Sequence, residues 1–357
     1  MNLQDRQLSY QQAILEATDQ AMALCPDVIV LGQLADTQSG IFGTTTGLVD
    51  RYGPERGRDF PVAENLMTAT AMGAALTGLR PLIVHQRLDF MIYSLDAIVN
   101  WLALWLFKSN GKSSMPVTIR TIVGKGWGQG PQHSKSLHSW FAHLPGLRVA
   151  VPATAFDAKG LLLESLFSQS PTIFVEGRGL YSMTDHVPEE PYRVRFGRAA
   201  VRRQGKDATL VAIGYMVPLA LRAATILEKE GVDVEVIDPR TLTPLDHKTI
   251  CDSAFKTRRL IVADPAWQSF GAASEIIACV AENLGNKLQA NPARVTLPDS
   301  HTPMSMALEK LYYPTEETIA KAVRDTLTDK LSWQRCAASW EINKEPPLPA
   351  KQESRES

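Results

Sequence analysis

Gly124, Gly126, Gly128 and Gly130 alternate through GKGWGQGPQHS, a segment whose composition suggests a phosphate cradle. A P-loop, however, ends in Gly-Lys-Ser/Thr at a helix start, and the dinucleotide fingerprint requires glycines at i, i+2 and i+5. Gln129 and Pro131 stand in the deciding positions, so both templates miss. The segment reads as a flexible loop leaving a strand. His133, His138 and His143 recur every five residues, which turns them to different sides of a helix. Zinc helices use i, i+4 spacing, so no metal site is expected from this trio. Neither GxSxG nor HExxH occurs. Cys25, Cys251, Cys279 and Cys336 are scattered without a CxxC pair. They read as buried small hydrophobes in a reducing compartment, not as zinc ligands or disulfide partners. On residue type alone, Glu64 is a first-turn acid favoured by the helix dipole and Phe90 is a core ring.

The elements that must position these groups alternate in type. Ser9 to Leu24 repeats apolar residues at helical spacing, and Val28 to Leu31 is an apolar run of strand length ended by Gly32. Glu64 to Thr77 is rich in Ala, Gly and Met and stops at Gly78, as a closely packed helix would. Pro81 to Val84, Val117 to Val123 and Thr172 to Val175 are further strand-type runs, with helical patterns at Ser94 to Lys108 and Phe156 to Ser168 between them. Met183 to Pro191 (MTDHVPEEP) is a linker by texture. A second series follows: strands at Ala208 to Ile213, Val232 to Ile237, Arg259 to Val262 and Val295 to Leu297, with helices at Val217 to Glu230, Leu245 to Phe255 and Ala272 to Asn283. The expectation is α/β with two doubly wound units, residues 1–185 and 201–330, joined by a linker at 186–200 and followed by a polar tail at 331–357. Ser94 to Lys108, with Trp101 and Trp105 a turn apart, is apolar around most of its circumference, which suits a subunit interface or a central core helix.

The 357 residues suffice for two domains. A hydrophobic share of 45% and a charged share of 21% exclude a mainly disordered chain. With 37 Lys+Arg against 38 Asp+Glu, neither nucleic acid nor an anionic membrane is an expected partner. The start lacks a signal-peptide profile and no apolar run approaches a spanning length, so a cytoplasmic chain is expected.

A more specific reading comes from Phe60-Pro61-Val62-Ala63-Glu64, GLRPLIV at Gly78 to Val84, QHSKSLHSWFAHLPGLRV at Gln132 to Val149, and ATAFDAKGLL at Ala153 to Leu162. These stretches resemble the beta subunit of the decarboxylating component of 2-oxo acid dehydrogenase complexes (pyruvate, branched-chain and acetoin dehydrogenases), within the transketolase-like group. GVDVEVIDPRTLTPLD at Gly231 to Asp246 and RRLIVADPAWQSFGAASEI at Arg258 to Ile276 are similar to that family's C-terminal domain. The resemblance implies a transketolase-like pyrimidine-binding domain and a transketolase C-terminal-like domain, in an α2β2 heterotetramer with thiamine diphosphate between subunits. This chain has no Gly-Asp-Gly, so the diphosphate and Mg²⁺ are expected on the alpha subunit, and no metal is expected on this chain.

The resemblance also assigns residues. Glu64 matches the glutamate that hydrogen-bonds the aminopyrimidine nitrogen, where an acid is needed to share a proton with the ring and so activate the cofactor. Phe90 matches the aromatic that packs on the aminopyrimidine face. His133 matches the histidine credited with assisting acyl transfer to a lipoyl group, a task suited to imidazole. His138 and His143 read as packing or surface residues. Three departures stand out: Gln33 replaces an acid, Val84-His85-Gln86-Arg87 replaces a segment beginning Glu-Phe-Met, and Ser168 replaces an aspartate of a structural potassium site. Potassium is therefore not predicted, and His85 and Arg87 suggest altered substrate chemistry. The expected function is decarboxylation of a small 2-oxo acid with acyl transfer to a lipoyl group, on a lipoyl acyltransferase, or to another acceptor. The alternatives are the C-terminal half of a split transketolase-like carboligase and an inactive assembly partner.

Overall fold

The computed structural model describes residues 6–126 and 128–328. The first series runs β1 (Gln7–Ser9), α1 (Tyr10–Leu24), β2 (Val28–Gly32), α2 (Leu48–Tyr52), β3 (Gly57–Asp59), α3 (Glu64–Leu76), β4 (Arg80–His85), α4 (Leu88–Met91), α5 (Trp105–Lys108) and β5 (Thr118–Val123). It continues with α6 (His138–Ala142), β6 (Arg148–Ala150), α7 (Ala155–Phe167), β7 (Thr172–Gly177) and β8 (Thr184–His186). Ser9 caps α1: its hydroxyl accepts from the Gln12 N–H at 3.2 Å, and the Gln12 side chain accepts from the Ser9 N–H at 2.9 Å. The second series is β9 (Ala200–Arg203), β10 (Ala208–Ala212), α8 (Met216–Glu228), β11 (Val234–Asp238), β12 (Thr241–Thr243), α9 (His247–Thr257) and β13 (Leu260–Trp267). It closes with α10 (Ala272–Leu284), β14 (Ala293–Leu297), α11 (Met306–Tyr312) and α12 (Glu316–Thr328).

The strands form a seven-stranded sheet in the order β12-β6-β7-β5-β4-β2-β3, a five-stranded sheet in the order β14-β13-β10-β11-β9, and the antiparallel pair β1-β8. Within the large sheet every pairing is parallel except that of β12 with β6. Parallel strands need covered faces. The buried clusters supply that cover, with α1 and α7 on one face of the large sheet and α3, α4 and α6 on the other. The small sheet is sandwiched likewise between α8 and α12 on one side and α9 and α10 on the other. Val28, Ile29, Val30 and Leu31 make a near-continuous apolar strand because both of its faces are buried.

Several expectations need correction. Ser94 to Lys108 is not one helix: a π-type turn at Ala97–Leu102 gives way to the four-residue α5. Nor is it buried all round, since Trp101, Leu104, Leu106 and Phe107 are exposed. The central-core reading therefore fails for that face. The start of the expected linker is a strand: β8 pairs with β1, so chain far from the N-terminus holds it in place. β12 crosses from the second series to edge the first sheet. Cys25 and Cys251 are half-buried, and only Cys279 of the described cysteines is buried. α11 and α12 have no counterpart in the sequence reading. The tail at 331–357, with Cys336, lies outside the described residues. Among the described residues no single helix is long and apolar enough to cross a membrane, and no three His, Cys, Asp or Glu side chains converge to hold a metal.

Candidate active site

Parallel α/β sheets bind ligands beyond the carboxyl ends of their strands, where the winding reverses direction. Here β3 and β4 flank β2 on opposite sides, so the reversal lies at β2 and β4. Gly32 ends β2 beside Val84, and His85 ends β4 beside Thr121 of β5. Gly32 packs closely against its neighbours, since a Cβ there would lie 2.7 Å from the tip of Ile41 and 3.3 Å from the Val84 carbonyl oxygen. The Phe60 N–H donates to the Gly32 carbonyl at 3.2 Å, which delivers the start of α3 to the same corner. Glu64 is the first residue of that helix and is half-buried.

A run of polar contacts crosses this corner. Gln33 Nε2 donates to Glu64 Oε1 at 3.5 Å, and Gln86 Nε2 donates to the Gln33 carbonyl at 3.2 Å. Arg87 donates to the Gln86 carbonyl at 2.8 Å and to Gln129 Oε1 at 3.1 Å. The loop after β5 folds back, with the Gly124 N–H donating to the His133 carbonyl at 3.2 Å. His133 meets the Phe90 ring edge-on, with centroids 5.3 Å apart. Phe90 and His133 are thus brought together directly, while Glu64 is joined through Gln33 to Gln86, at the end of β4. Both rings are half-buried, so Phe90 is not a sealed core residue.

Sequence reasoning missed the groups that hold this rim. The glycine loop is tied down: Glu309 of α11 accepts from the Gly126 N–H at 2.9 Å and the Gly128 N–H at 3.2 Å. Just before Gly126, the Lys125 ammonium sits 4.2 Å from the Tyr215 ring centroid and 4.9 Å from that of Tyr313. Burial, with Arg222 adding repulsion, pulls this amine down to about 8. His138 is buried, and its Nε2 lies 2.9 Å from Asp264 Oδ1 of β13. Burial works to raise the Asp264 carboxyl, but His138 and the N–H groups of Ala266 and Ala273 outweigh it and hold the group below its ordinary range. His138 therefore joins the two halves of the chain, while His143 is exposed. A cleft of about 1010 Å³ opens between the halves, lined in part by Trp140, His143, Leu245 and Phe270; none of Glu64, Phe90 or His133 borders it.

Comparison with known proteins decides the family. Residues 6–184 match the transketolase pyrimidine binding domain, and residues 197–319 match the transketolase C-terminal domain. The beta subunit of acetoin:2,6-dichlorophenolindophenol oxidoreductase from Cupriavidus necator is 40% identical over 332 residues, covering 90% of this chain and 98% of that protein. The chain belongs to this transketolase-like family of dehydrogenase beta subunits. The Staphylococcus epidermidis pyruvate dehydrogenase E1 beta subunit is 37% identical, covering 90% of this chain and 99% of the relative. Among solved structures, an inactive β4 tetramer of a split-gene transketolase superposes with a TM-score of 0.74 at 25% identity, covering 91% of this chain and 99% of that one. A transketolase from Pichia stipitis shares the fold, with a TM-score of 0.64 and 17% identity over 92% of this chain and 47% of that one.

A family member of this kind implies thiamine diphosphate, and the rim fits the aminopyrimidine half of it. An acid, an accessible aromatic ring and an imidazole follow the carboxyl ends of β3, β4 and β5. Beneath them, both ring nitrogens of His85, Nε of Arg87, Oδ2 of Asp89 and Oγ1 of Thr121 are buried without a hydrogen-bond partner among the described residues. Unpaired buried polar atoms are costly and concentrate where a ligand or chemistry compensates.

Proposed function

We propose that this chain is the beta subunit of a thiamine diphosphate-dependent 2-oxo acid dehydrogenase, active only with an alpha subunit in an α2β2 heterotetramer. The observation that carries the reading is that Glu64, held by Gln33, and the paired Phe90 and His133 rings follow β3, β4 and β5 of one sheet. The alpha subunit would hold the diphosphate and Mg²⁺, since this chain lacks Gly-Asp-Gly. When bound, thiamine diphosphate supplies the nucleophilic carbon and the electron sink for decarboxylation.

The protein's own residues do the rest. Glu64, projecting from the first turn of α3, holds a proton against the ring nitrogen of the aminopyrimidine. Gln33 orients that carboxyl by donating to Oε1. Phe90 offers a ring against which a flat heteroaromatic packs, worth roughly 0.5–1.5 kcal/mol beyond burial. His133, steadied by its edge contact with Phe90, is placed to donate a hydrogen bond to oxygen during acyl transfer to a lipoyl group of an acyltransferase or to another acceptor.

The test is co-purification with the alpha-type subunit and a screen of 2-oxo acids with an artificial electron acceptor. Glu64→Gln should reduce turnover by roughly 10²–10⁴-fold with the melting temperature unchanged. Full activity in that variant would remove the assignment. His133→Ala should leave cofactor binding intact and slow acyl transfer to a lipoyl domain. The split-transketolase reading is weaker, since identity falls from 40% to 25% between the dehydrogenase relative and the split transketolase. Product analysis separates them: CO2 with an acylated acceptor, or a new carbon–carbon bond.

A further inference from the structure

Arg87 is 8% exposed, yet among the described residues no carboxylate pairs with it. Both its acceptors, the Gln86 carbonyl and Gln129 Oε1, are neutral oxygens, and its Nε–H has no acceptor among the described residues. The acid nearest in influence, Asp89, is already held by the Lys135 ammonium at 3.0 Å. A second guanidinium stands close: the central carbons of Arg87 and Arg178 lie 5.0 and 5.1 Å from the centroid of the same Phe42 ring. Burial is the main force drawing the Arg87 guanidinium below its ordinary range, and Arg178 adds to it. A buried cation with only neutral acceptors is costly unless an anion arrives.

The position of this charge restricts which anion. Arg87 follows β4 directly, two residues past the strand's end at His85 and three before Phe90, so it stands on the rim itself. A fixed cation is poorly suited to the carboxylate that leaves as CO2. That group loses its charge in the transition state, and pairing it would stabilise the ground state more than the transition state and slow the step. An anion that keeps its charge throughout gains binding energy without that penalty. Guanidinium groups favour carboxylate and phosphate, whose oxygens match their donor geometry.

We propose that Arg87 forms an anion subsite that selects 2-oxo acids bearing a second anionic group, a carboxylate or phosphate-type group distal to the keto acid. The proposal rests on the dehydrogenase reading above and names its substrate class.

The test uses the complex with the alpha subunit and three probes: 2-oxobutyrate, 2-oxoglutarate and 2-oxo-4-phosphonobutyrate. Binding is measured by calorimetry and turnover by dye reduction, for the wild type, Arg87→Gln and Arg87→Lys. At least one dianionic probe should bind the wild type at least 10-fold tighter than 2-oxobutyrate. Whether the carboxylate or the phosphonate wins identifies the group. Arg87→Gln should abolish that preference mainly through KM, and Arg87→Lys should restore part of it. Turnover of 2-oxobutyrate without preference for either dianion, or a preference unaltered in Arg87→Gln, overturns the subsite and leaves the dehydrogenase reading standing. Arg87-dependent binding of a dianion without decarboxylation of any probe supports the subsite and removes the dehydrogenase reading. Absence of binding and turnover with all three overturns both.

Discussion

His85 shows how much a single buried side chain can decide. It is 1% exposed, neither ring nitrogen has a partner, and burial pulls the imidazole from 6.5 to about 3. A depressed folded value means that the unfolded chain takes the proton more readily. The neutral ring costs nothing extra above about pH 6.5, and stability is lost as pH falls from there toward 3. At pH 5 the loss is about 2 kcal/mol. His85→Phe should make the fall in melting temperature between pH 7 and pH 5 shallower, as followed by thermal scans; an equal fall would clear His85 of responsibility. The identity of His85 was plain in the sequence as a departure from its family. Its state was not, because desolvation depends on what packs over β4.

At the scale of elements, the glycine loop after β5 is decided from elsewhere. Four glycines within seven residues read as flexibility, and local propensity allows no other conclusion. Yet the Glu309 carboxylate, 183 residues from Gly126 in the chain, collects two of the loop's N–H groups. Glu309→Ala removes both acceptors, at a cost of about 1–3 kcal/mol for each N–H left without a partner where the loop is buried. Amide exchange across residues 124–130 should accelerate by roughly 10-fold or more while the core strands keep their protection. Unchanged exchange would mean that the loop is held by other contacts. The same non-locality explains the Ser94 to Lys108 segment. Its apolar composition suits a buried helix, but the chain's own packing covers only one side and breaks it at the π-type turn.

At the scale of the whole molecule, that uncovered side is an apolar surface of the kind partner chains cover. Phe107 is 89% exposed, with Leu106 and Trp101 beside it, on a face a solitary protein would not leave open. Phe107→Glu should weaken association, lowering the mass of the complex with the alpha subunit in sedimentation. An unaltered profile would place the interface elsewhere. Inside the chain, the halves are joined by His138 and Asp264, 126 residues apart, and by β12 crossing to the larger sheet.

The two α/β series, most of their strands and helices, and the candidate residues Glu64, Phe90 and His133 were legible in the sequence. Hydrophobic periodicity and capping act over a few residues, and the family motifs are contiguous. Only the tertiary structure set Phe90 against His133, joined Glu64 to Gln33 and Gln33 to Gln86, buried His85 and Arg87 without charged partners among the described residues, and paired His138 with Asp264. Those contacts join segments far apart in the chain, and their chemistry depends on which groups lose water together, which no local pattern records.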